Sequence, residues 1–182
     1  MNQTQPVVHL NVALEADSAR FQYEVRNSLD QPIYVFDRLF DMRAQKLSPD
    51  WAYVAIDGQK VVVCRQVWPL PTGLRHDNPE TPYGRFVAPR AAVTGEFSLG
   101  LPLVERDPYY SFLHSNAKPT QVNITSLILR IGWGIASQLR AGSEVELRGE
   151  RLVLFPFHEA ISKQHLAESE AAPVKISVTV SR

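Results

Sequence analysis

The chain has 182 residues, of which 45% are hydrophobic, and its 19 basic and 19 acidic side chains cancel. This balance argues against a general nucleic-acid-binding protein, because such proteins need surplus cations for phosphate contacts. With Cys64 as its single cysteine, the chain forms no internal disulfide.

Neither export nor membrane insertion is indicated. Residues 1–17 lack the basic region and the continuous apolar stretch of a secretory signal. No run of about 18 apolar residues occurs, so nothing is expected to span a membrane. We therefore expect a cytoplasmic location, with export that requires no N-terminal signal as the alternative.

The first elements are predicted from strict alternation of apolar and polar residues. This period of two predicts strands over residues 8–15 and 20–26, each with one buried face. A turn at 28–32 then leads into the apolar run 33–36. Because this turn is longer than a two-residue hairpin loop, we expect the flanking strands to cross between two sheets, as in a Greek key.

Asp57-Gly58 lies between two apolar runs and predicts a hairpin. Residues 61–64 are apolar on both faces, so this strand is expected to be covered on both sides or to form a subunit contact. Two segments around the alternating strand 96–103 lack a regular pattern. Residues 69–91 hold five prolines, and they and residues 105–120 are expected to form irregular loops.

The longest apolar segment, residues 122–135, predicts a central strand, and Gly132 and Gly134 predict a bulge or bend near its end. A hairpin is expected around Gly149-Glu150. Residues 157–171 are rich in helix formers and predict one short helix. Alternation returns over 174–180, which predicts a final strand.

These elements indicate a single all-β domain over residues 1–182, an antiparallel sandwich of about nine or ten strands with one helix. The N-terminal strand, the strand ending at Asn27, the turn before Pro32-Ile33 and the long late core strand resemble immunoglobulin-like domains of bacterial proteins. The Cys…Trp…Cys spacing of antibody domains is absent. The resemblance implies a fold, and such folds host many unrelated functions.

The candidate binding residues lie in the two irregular loops. The first group combines cationic, imidazole and aromatic side chains that could bind an anion or carboxylate through an arginine fork: Arg75, His76, Asp77, Tyr83 and Arg85. The second offers aromatic contact area: Asp107, Tyr109, Tyr110 and His114. The alternative interpretations are a charged surface loop for the first group and tyrosines that close the end of the sandwich for the second.

Other reactive residues are weaker candidates. His158-Glu159 and His165 are spaced too widely for one zinc ion on a helix, which needs histidines four residues apart. Cys64 lies among valines, where a buried inert thiol is expected. Neither a phosphate-binding glycine loop nor a nucleophile elbow is present, so we expect no catalytic motif, cofactor or metal.

We therefore expect a non-catalytic binding or assembly module that contacts a protein, peptide or carbohydrate through its loops or an edge strand. Self-association through the 61–64 strand is one form of this hypothesis. The alternative is a hydrolase-type enzyme built from the 69–91 and 105–120 loops, with His76 or His114 as base. A third hypothesis is a structural subunit of a larger bacterial assembly.

Overall fold

Two facing β-sheets form the structure, a computed structural model that describes residues 5–41, 46–48, 50–73, 81–109, 118–147 and 149–181. The smaller sheet is antiparallel, with strand order β1–β2–β8. Its strands are β1 (Val7–Leu14), β2 (Ser18–Arg26) and β8 (Ala92–Gly100).

The larger sheet contains the other described strands and follows the order β11–β12–β7–β3–β10–β14–β9, with β4, β5, β6 and β13 attached to this path. In chain order its strands are β3 (Ile33–Asp41), β4 (Lys46–Ser48), β5 (Tyr53–Asp57), β6 (Lys60–Arg65), β7 (Tyr83–Val87), β9 (Leu103–Val104), β10 (Pro119–Ile135), β11 (Glu144–Leu147), β12 (Glu150–Leu154), β13 (His165–Glu168) and β14 (Ala172–Ser181). A 3-10 turn, Ala136–Gln138, follows β10, and the helix α1 (Phe157–Lys163) follows β12.

Strand β10 is the central strand of the larger sheet. Over its 17 residues it pairs with β14 and then β13, and with β6 and then β3. Trp133 pairs with both His165 and Val35, so β13 and β3 flank opposite edges of β10. The β6–β10 and β9–β14 pairings are parallel, so the expected antiparallel arrangement is wrong for these two pairs of strands. The described part of the chain has 14 strands, more than the nine or ten expected.

The main hydrophobic core fills the space between the two sheets. Phe21 and Phe97 of the smaller sheet stack with ring centroids 4.6 Å apart, and they pack in one cluster with residues such as Val35 and Leu129 of the larger sheet. Two smaller hydrophobic clusters lie elsewhere. In one, Phe155 packs with residues of α1, and the other is formed mainly by residues of β5 and β6. The predicted buried face of β2 is confirmed, because it supplies this core.

The predicted crossing after β2 is also confirmed. β2 belongs to the smaller sheet and β3 to the larger one, so the turn between them carries the chain across the core. The hairpin near Asp57 is present as well, with Asp57 paired to Lys60. Gly58 has a φ of 61°, a value that glycine adopts without steric cost.

β7 and β13 are among the described strands that were not predicted. β7 lies within the segment expected to be irregular, and it pairs with β3 and β12. β13 lies in the second half of the segment 157–171, which was predicted to be helical. The observed helix α1 ends at Lys163. Gln164 is extended, and residues 165–168 then pair with β10, because pairing with an available strand edge overrides their helix propensity.

Residues 61–64 are covered on both sides by the chain itself. β6 lies between β5 and β10, so it is not an edge strand. Val61, Val62, Val63 and Cys64 are each at most 3% exposed. The hypothesis of self-association through this strand is therefore wrong, because none of its apolar surface is available to a second molecule.

Gly132 accommodates a neighbouring side chain rather than a bulge. The irregularity in β10 falls between Ile124 and Ser126 instead. A Cβ atom at Gly132 would lie 2.2 Å from Oε1 of Gln164. The Gln164 amide accepts from the Val67 backbone N–H at 2.8 Å and donates to the Val67 carbonyl at 3.0 Å. Gly132 therefore makes room for a link between the residue that precedes β13 and the segment after β6.

We expect Gly132→Ala to lower the free energy of unfolding by about 1–3 kcal/mol, because the added methyl displaces the Gln164 amide from both bonds to Val67. Chemical denaturation measures the change. Gly100→Ala is the matched control, since its nearest non-neighbour atom would lie 3.9 Å away. Equal losses in the two variants would show that the close approach at Gly132 is unimportant.

Candidate functional site: a buried charge cluster

A β-bulge in β3 places the consecutive charged residues Asp37 and Arg38 on the same side of the sheet. Val35 pairs with Arg85, but Arg38 pairs with Tyr83, so β3 has one extra residue here. Both side chains reach Tyr23 of the facing sheet. The Tyr23 hydroxyl donates to Oδ2 of Asp37 at 2.6 Å, and Nη1 of Arg38 donates to the Tyr23 oxygen at 3.2 Å.

Asp37 is the centre of this arrangement. It is 0% exposed, and Arg85 donates to both of its oxygens, through Nε to Oδ1 at 3.0 Å and through Nη2 to Oδ2. Nη1 of Arg38 lies 3.4 Å from Oδ2. A buried carboxylate is stable only when such partners replace its lost hydration.

Further hydrogen bonds extend from both arginines. Arg38 forks the Glu150 carboxylate, with Nε to Oε2 at 2.7 Å and Nη2 to Oε1 at 2.6 Å. Arg85 donates through Nη1 to the Thr94 carbonyl of β8 at 2.9 Å. The Glu150 side chain is 38% exposed, so the arrangement reaches the surface at β12.

Arg65 differs from Arg38 and Arg85 in its contacts. It is 0% exposed, and its Nε and both Nη atoms have no hydrogen-bond partner among the residues that the structure describes. Its guanidinium carbon lies 4.6 Å from the ring centroid of Phe97 and 5.8 Å from that of Tyr23, which are cation–π distances. We define the charge cluster as Tyr23, Asp37, Arg38, Arg65, Arg85 and Glu150.

The pKa shifts within the charge cluster follow from these contacts. Burial on its own would raise the pKa of Asp37, but Arg85 and Arg38 together outweigh it and hold that pKa below its ordinary value. The hydrogen bonds from Arg38 lower the pKa of Glu150. Burial raises the pKa of Tyr23, which keeps its hydroxyl as a neutral donor.

This arrangement is suited to holding strands together and poorly suited to proton transfer. A general acid or base works best with a pKa near the operating pH, and both carboxylates of the charge cluster are held ionised. The contacts instead join β2 and β8 of the smaller sheet to β3, β7 and β12 of the larger one.

Of the residues predicted in the first loop, Arg85 lies in the charge cluster. The carboxylate that its fork binds is the chain's own Asp37. Tyr83 lies at the start of the same strand, and burial raises its pKa. Arg75, His76 and Asp77 lie outside the described residues.

In the second loop, the Asp107 side chain accepts a hydrogen bond from the backbone N–H of Tyr109 at 2.7 Å, and Tyr109 is 2% exposed. Tyr110 and His114 lie outside the described residues. None of the contacts described for Asp107 or Arg85 joins one loop to the other.

Most of the charge cluster was not predicted from the sequence. Asp37-Arg38 directly follows the apolar run of β3, and Arg65 directly follows that of β6. A charge continuing a buried strand is the one local signal that pointed to these residues, since buried charges require partners.

The structure places the weaker candidates Cys64, His158 and His165 as follows. Burial raises the pKa of Cys64 to about 12, which fits the expected inert thiol. His158 lies on α1, whereas His165 lies on β13 and stacks on Trp133 at 4.8 Å. In the described ranges, no group of three or more His, Cys, Asp or Glu side chains is arranged to hold a metal ion.

Comparison with known proteins returns no significant match to a family model, a curated protein or a solved structure. Among the residues that the structure describes, no helix has the length and hydrophobicity needed to cross a membrane. The function is therefore argued from the geometry of the chain.

We expect Asp37→Asn to lower the free energy of unfolding at pH 7 by about 3–5 kcal/mol, because it leaves two buried arginines without their shared anion. The pKa of Asp37 is lower in the folded state, so its contribution is complete above the unfolded value of about 3.9 and is lost as the pH falls through the folded value. Denaturation between pH 7 and pH 3 should show a shallower acid loss in the variant. If the free energy of unfolding of the native chain and of the variant fell in parallel with pH, the lowered pKa of Asp37 would be contradicted.

Arg85 and Arg65 should respond in opposite directions to removal of their charge. Arg85→Met removes the fork on Asp37 and should cost about 3–5 kcal/mol. Arg65→Met keeps an apolar stem against Phe97 and removes a charge without hydrogen bonds, so stability should hold or rise by up to about 2 kcal/mol. Thermal and chemical denaturation compare the pair, and equal losses would show that Arg65 stabilises the fold as Arg85 does.

Proposed function

We propose that the chain is a non-catalytic binding or assembly module that accepts an extended segment of a partner protein as an added strand along β8. The observation that carries the proposal is the free outer edge of β8, the side away from β2. In the described part of the chain β8 pairs only with β2. Strand addition at such an edge is a common mode of peptide recognition.

The hydrogen-bonding direction along β8 follows from its ends. The Asn27 N–H donates to the Ala91 carbonyl at 2.8 Å, and the Leu101 N–H donates to the Asp17 carbonyl at 2.7 Å. Bonded and non-bonded pairs alternate in an antiparallel ladder. Odd-numbered residues therefore bond to β2, and even-numbered residues direct their backbone groups to the free edge.

One backbone group at the free edge already has a partner within the chain. The Thr94 carbonyl accepts a hydrogen bond from Arg85. Glu96, Ser98 and Gly100 have no backbone partner at the free edge within the described ranges. The second half of β8 is therefore the segment along which a partner strand would pair.

The terminal strands of the larger sheet, β11 and β9, are less suited to a partner than β8. β11 has four residues and two glutamates, and β9 has two residues. β8 has nine residues without proline or lysine, and its one charged side chain, Glu96, is paired with Arg20 at 2.9 Å. Short strands, lysine and proline are the usual means of blocking an edge, and β8 has none of them.

The immunoglobulin-like resemblance is part of the same proposal. Two facing sheets linked by the crossing between β2 and β3 support it, while the parallel pairing of β6 with β10 departs from an antiparallel sandwich. Sandwiches of this kind expose edge strands that natural assemblies use for pairing.

The proposal is tested by a photo-crosslinking residue, p-benzoylphenylalanine, placed at Ser98. We expect it to capture one extended segment of a partner or of a second copy, mapped by mass spectrometry. The control position is Gln22, which faces the same way on the central strand β2 and pairs with Glu96. Identical adducts from both positions would contradict docking at the edge.

Ser98→Pro provides the second arm. Proline removes a backbone N–H that points to the free edge and leaves the β2 ladder intact. A synthetic peptide of the captured segment should bind this variant at least tenfold more weakly than the native chain, which corresponds to about 1.4 kcal/mol. Unchanged binding, with an unchanged circular dichroism spectrum, would overturn the proposal.

A further inference from the structure

The smaller sheet covers only part of the larger one, and the contacts between the sheets show which strands face each other. Strand β1 contacts β10 and β13. Tyr23 of β2 donates to Asp37 of β3 at 2.6 Å, and Arg85 of β7 donates to the Thr94 carbonyl of β8 at 2.9 Å. Strand β2 therefore lies over β3, and β8 lies over β7.

Strands β12 and β11 extend beyond the free edge of β8. They follow β7 in the larger sheet, on the side away from β3. Glu150, the first residue of β12, lies where this extension begins. Its Oε1 is 3.5 Å from Nη1 of Arg85, the nitrogen that binds the outward-pointing Thr94 carbonyl. In the described part of the chain the smaller sheet ends at β8, so β11 and β12 project past it.

The projecting strands are aliphatic on the face that is turned toward the smaller sheet. Glu150 reaches the charge cluster from this face, and Leu152 and Leu154 share the face with it because side chains alternate along a strand. On β11, Leu147 pairs with Glu150 and Val145 pairs with Leu152. We call the face formed by Val145, Leu147, Leu152 and Leu154 the shelf. Leu152 is 0% exposed, and the other three are half-buried.

A strand added to β8 would lie above the shelf. Paired strands are about 4.8 Å apart and facing sheets about 10 Å apart, so side chains on one face of the added strand would fill the space over β12 and β11. Successive side chains of a strand point to opposite faces, so only every second residue of the added segment would meet the shelf. In strand addition, main-chain hydrogen bonds supply affinity and these alternate side chains supply specificity.

We propose, building on strand addition at β8, that the partner is a single extended peptide segment with aliphatic residues at every second position, and that these residues pack on the shelf. The intervening residues face solvent on the side of Glu96 and Ser98, where polar side chains are suitable. The smaller sheet thus supplies the backbone pairing, and the larger sheet selects the sequence pattern of the segment.

Two synthetic peptides of identical composition are the probes for this pattern. The alternating peptide is Lys-Val-Thr-Val-Thr-Val-Thr-Val-Lys, and the grouped peptide is Lys-Val-Val-Val-Val-Thr-Thr-Thr-Lys. Fluorescence anisotropy of labelled peptides measures their affinity for the native chain. We expect the alternating peptide to bind about tenfold more tightly, because all its valines can face the shelf, whereas the grouped peptide divides them between two faces. Equal affinities, or no binding by either peptide, would overturn the proposal.

Adjacent residues of β11 provide matched variants, because they lie on opposite faces of the strand. Leu147→Ser removes aliphatic contact from the shelf and should weaken binding of the alternating peptide about tenfold. Glu146→Ser changes the exposed face of the same strand and should leave the affinity unchanged. Circular dichroism checks that both variants fold. If Leu147→Ser does not fold, the preference of the native chain between the two peptides decides the question.

Ser98→Pro separates a failure of the shelf from a failure of the β8 edge. If Ser98→Pro weakens binding of the alternating peptide while Leu147→Ser and Glu146→Ser affect it equally, the edge is supported and the shelf is overturned. If Ser98→Pro leaves binding of this peptide unchanged, both are overturned. Photo-crosslinking from Ser98 captures the partner's own segment, so it decides the role of the edge independently of the two synthetic peptides.

Discussion

Burial of the Asp37 carboxylate between the two sheets is the constraint on which the rest of the structure depends. A carboxylate without water must be neutralised and fully hydrogen bonded. Arg85 and Arg38 supply the charge, and Tyr23 of the facing sheet supplies the remaining donor. Each arginine then uses its other nitrogens elsewhere, Arg38 on Glu150 and Arg85 on Thr94. One anion therefore sets the relative positions of five strands.

The same network supports the β8 edge from within the core. An edge strand usually lacks support on its open side, which makes it mobile and prone to unwanted pairing. Here the Arg85 guanidinium holds the Thr94 carbonyl, and Phe97 is clamped between Phe21 and Arg65. A strand held in this way is ordered before a partner arrives, so less conformational entropy is lost on binding. Arg65, whose guanidinium has no hydrogen-bond partner in the described part of the chain, places its cation over the rings of Phe97 and Tyr23.

The parts of the fold that were predicted are those whose cause is local. Alternation along β1, β2 and β14 is set by one buried face, so it is visible in the residues themselves. β7 and β13 were not predicted because their strand character comes from the neighbours that they pair with, in a segment rich in proline and in one rich in helix formers. The charge cluster was hidden for the same reason. Its members are far apart in sequence, and the bulge that brings Asp37 and Arg38 to one side depends on the register with β7.

The extra residue in β3 also restricts how related sequences can diverge. Deletion of one residue between Val35 and Arg38 would restore regular alternation and leave Arg38 on its present face opposite Tyr83, so the one residue that remains between them would face the other side of the sheet. An aspartate at that position would meet the cluster around Phe155 rather than Arg85. The length of this strand and the identity of its two charges must therefore change together during evolution. A homologue that lacks the bulge should also lack the Asp37–Arg85 pair, whatever its remaining similarity.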